Sequence, residues 1–239
     1  MKHITLILLL AFTSLAGSMA QAIKKINYQV NIGSTISFPY EKSVSYMPGT
    51  YQASQTDYSS DIGYFAELML TYNMTNRYAI STALNYTYSA VGVNDKIGAF
   101  HSKGKIATSY LNIPLLFKYR LTEKVPLSLG AGPYIGFLLT ANESGTTHID
   151  IAALTMLEPE HIETTEAYDT SIKENYTTID YGLSLQLDYE FKLSTGLKGV
   201  VLTRFNYGLK NTLTCDQAHN STARNWKNYN VMLGLGLIL

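Results

Sequence analysis

The sequence predicts an all-β fold, an eight-stranded antiparallel up-and-down transmembrane β-barrel preceded by a cleaved signal peptide. Three observations predict it. Apolar and polar residues alternate with a period of two in eight segments, as in strands that have one apolar face. The connections between these segments are alternately short and long. The longest apolar run after the leader, Val231–Leu239, falls well short of the roughly 18 to 20 residues that a membrane helix needs.

The start of the chain has the features of a secretory leader. A positively charged beginning precedes an apolar run over residues 4–15, and small residues follow that run. Ser18 and Ala20 fit the −3 and −1 positions that a signal peptidase reads, so residues 1–20 are predicted to be removed. The barrel domain is then expected to comprise residues 21–239 of an exported protein.

The composition favours a membrane environment and excludes several functions. Charged residues make up 15% of the chain, against roughly 25% in soluble domains, while tyrosine occurs 19 times. A formal net charge of zero gives no basic footprint for nucleic acid. Cys215 is the single cysteine, so an intramolecular disulfide is excluded. The sequence has no zinc-ligand spacing and no phosphate-binding loop, so we expect neither a cofactor nor a metal.

Eight segments show the strand pattern, and the sixth shows it most clearly. There, Ile179 to Phe191 supply large apolar residues at every second position, and the intervening residues are small, polar or charged. Pro114 and Pro133 fall inside the fourth and fifth segments, and because proline cannot donate to a ladder, a bulge is predicted at each. The eight segments are residues 28–38, 62–73, 78–88, 111–120, 127–137, 179–192, 201–210 and 228–239.

The lengths of the connections predict an outer-membrane barrel. The connections after the second, fourth and sixth segments are a few residues each, and the others are long. Short turns on the periplasmic side and long loops outside the cell are typical of such barrels. The predicted long loops are residues 39–60, 94–105, 141–176 and 212–226.

The volume of side chains predicts which face of each strand points outward. Eight strands enclose a space that side chains can just fill. The polar face is rich in glycine, alanine and serine, whereas the other face is mostly leucine, isoleucine, phenylalanine and tyrosine. We therefore expect the large residues to face lipid, with aromatic girdles near the strand ends. The alternative is a soluble calyx of the lipocalin type, with the apolar face inside.

Charged residues on the polar face are expected to fill the lumen. Burying an unpaired charge is costly, so Glu67, Lys118, Asp188, Glu190 and Arg204 are predicted to form an ion-pair network. The alternative is a conducting pore, although barrels that hold an aqueous channel use about twice as many strands. Further charges on this face are Arg120, Lys192 and Lys198.

Arg204 is the expected centre of this network. The tight turn at residues 194–196 predicts that Gln186 lies opposite Arg204 and that Asp188 is its diagonal neighbour. Glu67, from the far side of the narrow barrel, is expected to complete the arrangement. Arginine suits such a position because its planar fork can hold two acceptors while it remains charged.

Catalysis and cation binding have only weak support in the sequence. The four histidines of the mature chain lie outside the predicted strands, and Ser144 with His148 is the one combination that could serve a lipid-modifying enzyme. The predicted loop 141–176 holds eight acidic residues and one lysine, which could bind a divalent cation that bridges to lipopolysaccharide phosphates. A solvated loop is the simpler interpretation. The four histidines are His101, His148, His161 and His219.

Two consecutive motifs resemble a known family. The segment 110–119 reads YLNIPLLFKY, and the segment 130–137 reads GAGPYIGF. This order of Tyr-Leu-x-Ile-Pro and Gly-x-Gly-Pro-Tyr resembles the PorT-like outer-membrane barrel family, as do the later segments 180–183 and 204–209. The resemblance extends over essentially the whole mature chain. It implies an eight-stranded barrel of the outer membrane and, through the namesake of the family, an accessory role in protein secretion.

These observations predict a non-enzymatic outer-membrane barrel with a structural or interaction role. Its expected partners are outer-membrane lipids and lipopolysaccharide, and the resemblance adds proteins of a secretion machinery. A lipid-modifying enzyme and a small pore are the remaining alternatives.

Overall fold

A computed structural model of the chain describes residues 26–38, 43–46, 53–97, 100–122, 125–150, 163–194, 197–213 and 227–239. The predicted signal peptide and its cleavage site lie outside the described residues, as do His161, His219 and Cys215. None of the helices within the described ranges has the length and apolar character needed to cross a membrane.

The described chain is almost entirely extended. Its one helical turn is a short 3-10 helix at Lys173–Asn175. The strands are β1 (Ile26–Ser37), β2 (Ser43–Tyr46), β3 (Ala53–Ser60), β4 (Ile62–Asn73), β5 (Tyr78–Ile97), β6 (Phe100–Arg120), β7 (Leu127–Asp150), β8 (Glu163–Ser171), β9 (Ile179–Ser194), β10 (Leu197–Gly208) and β11 (Tyr229–Ile238).

Eight of these strands form a closed antiparallel barrel, which confirms the predicted fold class. Their order around the barrel is β5-β4-β1-β11-β10-β9-β7-β6, and the pairing of β5 with β6 closes the cylinder. The first and last strands of the chain are neighbours, since β1 pairs with β11. The short connections after β4, β6 and β9 lie at one end, here called the turn rim, and the opposite end is called the loop rim.

Three barrel strands continue beyond the loop rim, where the sequence predicted loops. The far part of β5 pairs with β3, and the far part of β7 pairs with β8. Strand β2 pairs with β3, and β6 lies between β5 and β7. Together these six strands form a sheet in the order β2-β3-β5-β6-β7-β8, here called the extension sheet. The prediction of loops is therefore wrong for residues 39–60, 94–105 and 141–176, because strands occupy much of each range.

The faces of the barrel strands follow the predicted alternation. Along β9, Leu185 is 49% exposed while its neighbour Gln186 is 1% exposed. Exposed leucine, isoleucine and tyrosine side chains surround the barrel in the same way on the other strands. Small and polar residues point inward, so the calyx alternative, which requires the opposite orientation, is wrong.

Aromatic side chains form the two expected girdles. At the turn rim, the ring of Tyr78 lies 5.3 Å from that of Tyr119. At the loop rim, Tyr64 stacks on Tyr88 at 5.0 Å, and Tyr207 contacts Tyr229 at 4.9 Å. Along β5 the two girdles are about 10 residues apart, which is the length of a strand that crosses a bilayer at a tilt.

The prolines interrupt the ladder without shifting its register, so the predicted bulges are wrong. Thr82 lies opposite Leu115 and Asn85 opposite Asn112, which is one continuous register on both sides of Pro114. The missing proline N–H removes pairings locally but inserts no extra residue. The register shift between β6 and β7 lies at Ser109/Tyr110 instead, near the loop rim.

The lumen also contains large apolar side chains, which the sequence analysis did not predict. Phe65, Leu202 and Met232 form a buried cluster inside the barrel. Phe65 fits there because Gly33 and Gly234 face it, and a Cβ on Gly234 would lie 2.5 Å from the Cζ of the Phe65 ring. The two glycines thus provide the space for an aromatic ring in the lumen.

A second apolar cluster lies at the loop-rim end of the lumen. Its buried members are Tyr110, Leu138, Ala141 and Tyr176, and Leu213 packs against them. Tyr176 bridges to Leu213, so the segments before β9 and after β10 meet over the barrel. Burial raises the pKa of the Tyr176 hydroxyl, with smaller contributions from its neighbours, so this side chain remains neutral at physiological pH.

Candidate functional site: the filled lumen

Arg204 projects from the middle of β10 into the centre of the lumen. It is 1% exposed, and Gln186 on β9 is its register partner, as the turn geometry predicted. Its inward orientation follows from the period of two, because the neighbouring Thr203 and Phe205 face outward. The guanidinium group is therefore buried among side chains from several strands.

The guanidinium group is held by a carboxylate across the barrel and by an amide beside it. Nη1 lies 2.5 Å from Oε2 of Glu67 on β4, and Nε donates to Oε1 of Gln186 at 2.7 Å. Nη2 donates to the same Gln186 oxygen. Glu67 is 2% exposed, so this ion pair is removed from water.

The Glu67 carboxylate is also surrounded by amide donors. Asn31 Nδ2 donates to Oε1 at 2.8 Å, and Asn85 Nδ2 donates to Oε2 at 3.2 Å. Gln29 in turn donates to Asn31 Oδ1 at 2.8 Å. Strands β1, β4, β5 and β10 thus contribute to one hydrogen-bonded layer, which satisfies the buried charge from all sides.

A second ion pair lies next to this layer on the turn-rim side. Lys118 Nζ is 2.7 Å from Asp188 Oδ2, and both residues are buried. Gln186 Nε2 donates to Asp188 Oδ1 at 2.6 Å, so Gln186 links the two ion pairs. The structure places Asp188 against Lys118, whereas the sequence analysis expected it to be a diagonal partner of Arg204.

Glu190 lies apart from these two pairs, at the turn rim. Its carboxylate is 3.3 Å from Lys198 Nζ and 3.7 Å from an Arg120 nitrogen, and the Lys198 side chain is half exposed. A cavity of about 40 Å³ opens here, between Glu190, Lys118 and residues of the turns. Water at the turn rim therefore reaches the edge of the Lys118–Asp188 pair, beyond which side chains fill the lumen.

The two histidines within the described residues are not arranged with Ser144 as a nucleophile–base pair. His101 lies in β6 and His148 in β7, directly opposite each other in the extension sheet, so the expectation that they lie outside strands is wrong. His148 Nδ1 contacts Thr165 Oγ1 at 2.9 Å on an exposed surface. Ser144 is four residues away in the same strand, which corresponds to about 13 Å, too far for a nucleophile–base contact.

The acidic residues of the predicted loop 141–176 whose side chains the structure describes do not converge either. Glu143 and Asp169 lie on opposite faces of the extension sheet, as their positions in the β7–β8 register require. Glu143 accepts a hydrogen bond from the Tyr168 hydroxyl at 3.4 Å. Within the described ranges, no group of three or more His, Cys, Asp or Glu residues could hold a metal ion.

Comparison with known proteins gives a match to one protein family and to several solved structures. A model of the outer membrane protein beta-barrel domain matches residues 19–214. No curated protein sequence matches the chain.

Solved structures with a similar shape include OprG of Pseudomonas aeruginosa, with 15% identity, 90% of this chain and 97% of that chain covered, and a TM-score of 0.42. Ail of Yersinia pestis is 12% identical, and the match covers 91% of this chain and 100% of Ail with a TM-score of 0.38. The protease OmpT of Escherichia coli is 11% identical, and the match covers 91% of this chain and 97% of OmpT with a TM-score of 0.37. Identities and scores this low carry no functional inference.

Proposed function

Because this chain belongs to the outer membrane protein beta-barrel domain family and its barrel lies in the outer membrane, we propose that it acts there as a structural and interaction protein, neither an enzyme nor a pore. The observation that carries this proposal is the extension sheet, which rises above a lumen filled with side chains. Beyond the girdle residue Tyr88, β5 continues to Ile97, a rise of about 30 Å along the strand.

The filled lumen supports a role that does not depend on transport through the barrel. Arg204 and Glu67 bridge opposite walls, Phe65 occupies the space beside them, and Tyr176 packs at the loop-rim end. Eight-stranded barrels are just wide enough for such side-chain filling. The interaction surface is then the extension sheet.

The outward face of the extension sheet carries a basic strip, defined here as Lys96, His101, Lys103, Lys105 and His148. The register places Lys96, His101 and His148 in one row across β5, β6 and β7. Lys103 and Lys105 follow on the same face of β6, at alternate positions toward the membrane. The strip therefore descends along the centre of the sheet.

The acidic residues on this face whose side chains the structure describes lie at its margins. Asp57 is on β3 and Asp169 is on β8, so they flank the central strands that bear the lysines. Lys105 lies opposite Gly92, four residues beyond Tyr88 and so about 13 Å along the strand from the outer girdle. This position favours the phosphate groups of lipopolysaccharide as the partner of the basic strip.

Replacing the three lysines of the strip by glutamine is expected to weaken binding of lipopolysaccharide to the refolded barrel roughly 100-fold. The estimate follows from about 1 kcal/mol for each lysine near an anionic surface. Binding is measured by titrating lipopolysaccharide into the detergent-solubilised protein at two salt concentrations.

The matched control carries Lys192→Gln and Lys198→Gln at the turn rim, far from the outer leaflet, and is expected to bind as the wild type does. Equal affinity of the Lys96, Lys103 and Lys105 triple variant and the wild type would exclude the strip as the binding surface. Equal binding of dephosphorylated lipopolysaccharide would exclude phosphate as the recognised group.

An accessory role in protein secretion is a second candidate, and it rests on the resemblance to the PorT-like family. The exposed extension sheet is compatible with a protein partner. Crosslinking in intact cells distinguishes the two roles, because a secretion component is expected to yield a reproducible adduct with other envelope proteins.

A further inference from the structure

The outer part of the lumen contains a polar chamber that the ion-pair network does not use. It lies between the Arg204 layer and the loop rim and holds a cavity of about 20 Å³. Every side chain that lines it carries a hydroxyl, an amide or a carboxylate, including those of Tyr110, Tyr134, Asp180 and Asn228. A cavity of this size accommodates one species as large as a water molecule.

Asp180 is the one acidic residue among the described residues that line the chamber, and it is 1% exposed. Its Oδ2 accepts hydrogen bonds from the Tyr134 hydroxyl at 3.0 Å and from Asn228 Nδ2 at 2.9 Å. Its Oδ1 is buried and has no hydrogen-bond partner, and the buried hydroxyl of Tyr110 has none either. Two buried polar atoms therefore lack partners beside the same cavity.

The neighbouring cations are engaged elsewhere. Arg204 is paired with Glu67, and Lys118 is paired with Asp188. Lys210 is the cation nearest to Asp180 along the ladder, and its ammonium group donates to the Ile179 carbonyl at 2.9 Å on the exposed side. A buried carboxylate without a contacting cation is costly, so its charge is offset either by a proton on Asp180 or by a cation bound in the chamber.

We propose that the chamber binds a single Na⁺ ion, with Asp180 Oδ1 and the Tyr110 hydroxyl oxygen among its ligands. Small hard cations take oxygen ligands, and the chamber offers carboxylate, hydroxyl and amide oxygens. One carboxylate matches a monovalent charge, whereas divalent cations are usually held by more acidic groups. The ion completes the filling of the lumen above the Arg204 layer.

Thermal unfolding of the full-length refolded barrel tests this site. At pH 8, Na⁺ is titrated against N-methylglucamine at constant ionic strength, and the midpoint is read from the gel shift between folded and unfolded protein. We expect the wild-type midpoint to rise saturably with Na⁺, because the ion binds only the folded state. Asp180→Asn is expected to abolish this dependence, and Asp169→Asn, which removes an exposed carboxylate from the extension sheet, is expected to retain it.

A wild-type midpoint that does not respond to Na⁺ would overturn the proposal. So would a midpoint that depends on pH alone, since protonation of Asp180 would then supply the missing charge. If Asp180→Asn does not fold, Tyr110→Phe provides the test, because it removes one ligand and is expected to shift the Na⁺ dependence to several-fold higher concentrations. An unchanged dependence in Tyr110→Phe would also contradict the site.

Discussion

Replacement of Arg204 by leucine is expected to lower the free energy of unfolding by about 3–5 kcal/mol. The substitution leaves the Glu67 carboxylate buried beneath Asn31 and Asn85 without a cation, and it removes both donors to Gln186. Arg204→Lys is expected to cost less, because the charge remains while the planar fork is lost. Urea unfolding of the barrel in lipid vesicles, followed by circular dichroism, measures the change.

Two further variants separate the buried charge from the loss of packing. Glu67→Gln added to Arg204→Leu removes the stranded charge and is expected to recover part of the stability. Glu190→Gln acts on the partly exposed pair at the turn rim and is expected to cost no more than about 1 kcal/mol. A cost for Arg204→Leu as small as that of Glu190→Gln would contradict the network.

Replacement of Leu185 by arginine is expected to destabilise the barrel by about 2–4 kcal/mol, because it adds a charge to the face that contacts lipid. Leu185 lies midway between the two ends of the apolar part of β9 and faces outward, so the new charge would stand at the bilayer midplane. The same unfolding measurement in vesicles gives its cost.

Leu193→Arg is the matched control on the same face of β9. Leu193 lies at the turn rim, next to the last residue of β9, so arginine there is expected to cost about 0–1 kcal/mol. Similar costs at the two positions would mean that Leu185 does not face the hydrocarbon core.

The sequence was sufficient to predict the barrel because two environments alternate along every membrane-crossing strand. Lipid on one side and a packed polar lumen on the other impose a period of two, which β9 shows from Ile179 to Phe191. The identity of the two faces followed from volume, since an interior built from the leucine face would exceed the space that eight strands enclose.

The extension sheet was not predictable in the same way. Beyond the loop rim, water contacts one face of the sheet directly, and the other face mixes Val91 and Val93 with Asp95 and Ser102. The contrast between faces is therefore weak, and backbone pairing in a long hairpin holds the strands together. The prediction of bulges at the two prolines was wrong because a missing backbone donor interrupts strand pairing without requiring an extra residue.

Four of the five charged residues that the sequence assigned to the lumen network form its two buried ion pairs, but only some of their contacts could be anticipated. Gln186 and Arg204 are neighbours across one tight turn, so their register followed from counting residues. Lys118 and Asp188 meet over the intervening strand β7, and such contacts depend on the stagger of the barrel, which the sequence pattern does not specify. In the sequence, Asp180 was only one more polar position, because the residues around its carboxylate come from five other strands and the residues next to them.

Single-channel recording in planar bilayers tests the central claim most directly, because the account requires a lumen filled by side chains rather than by water. After insertion of the purified wild-type barrel, we expect no stepwise conductance under conditions in which a porin in the same bilayer conducts. Discrete, reproducible conductance steps that accompany each insertion of the wild-type protein would contradict the account.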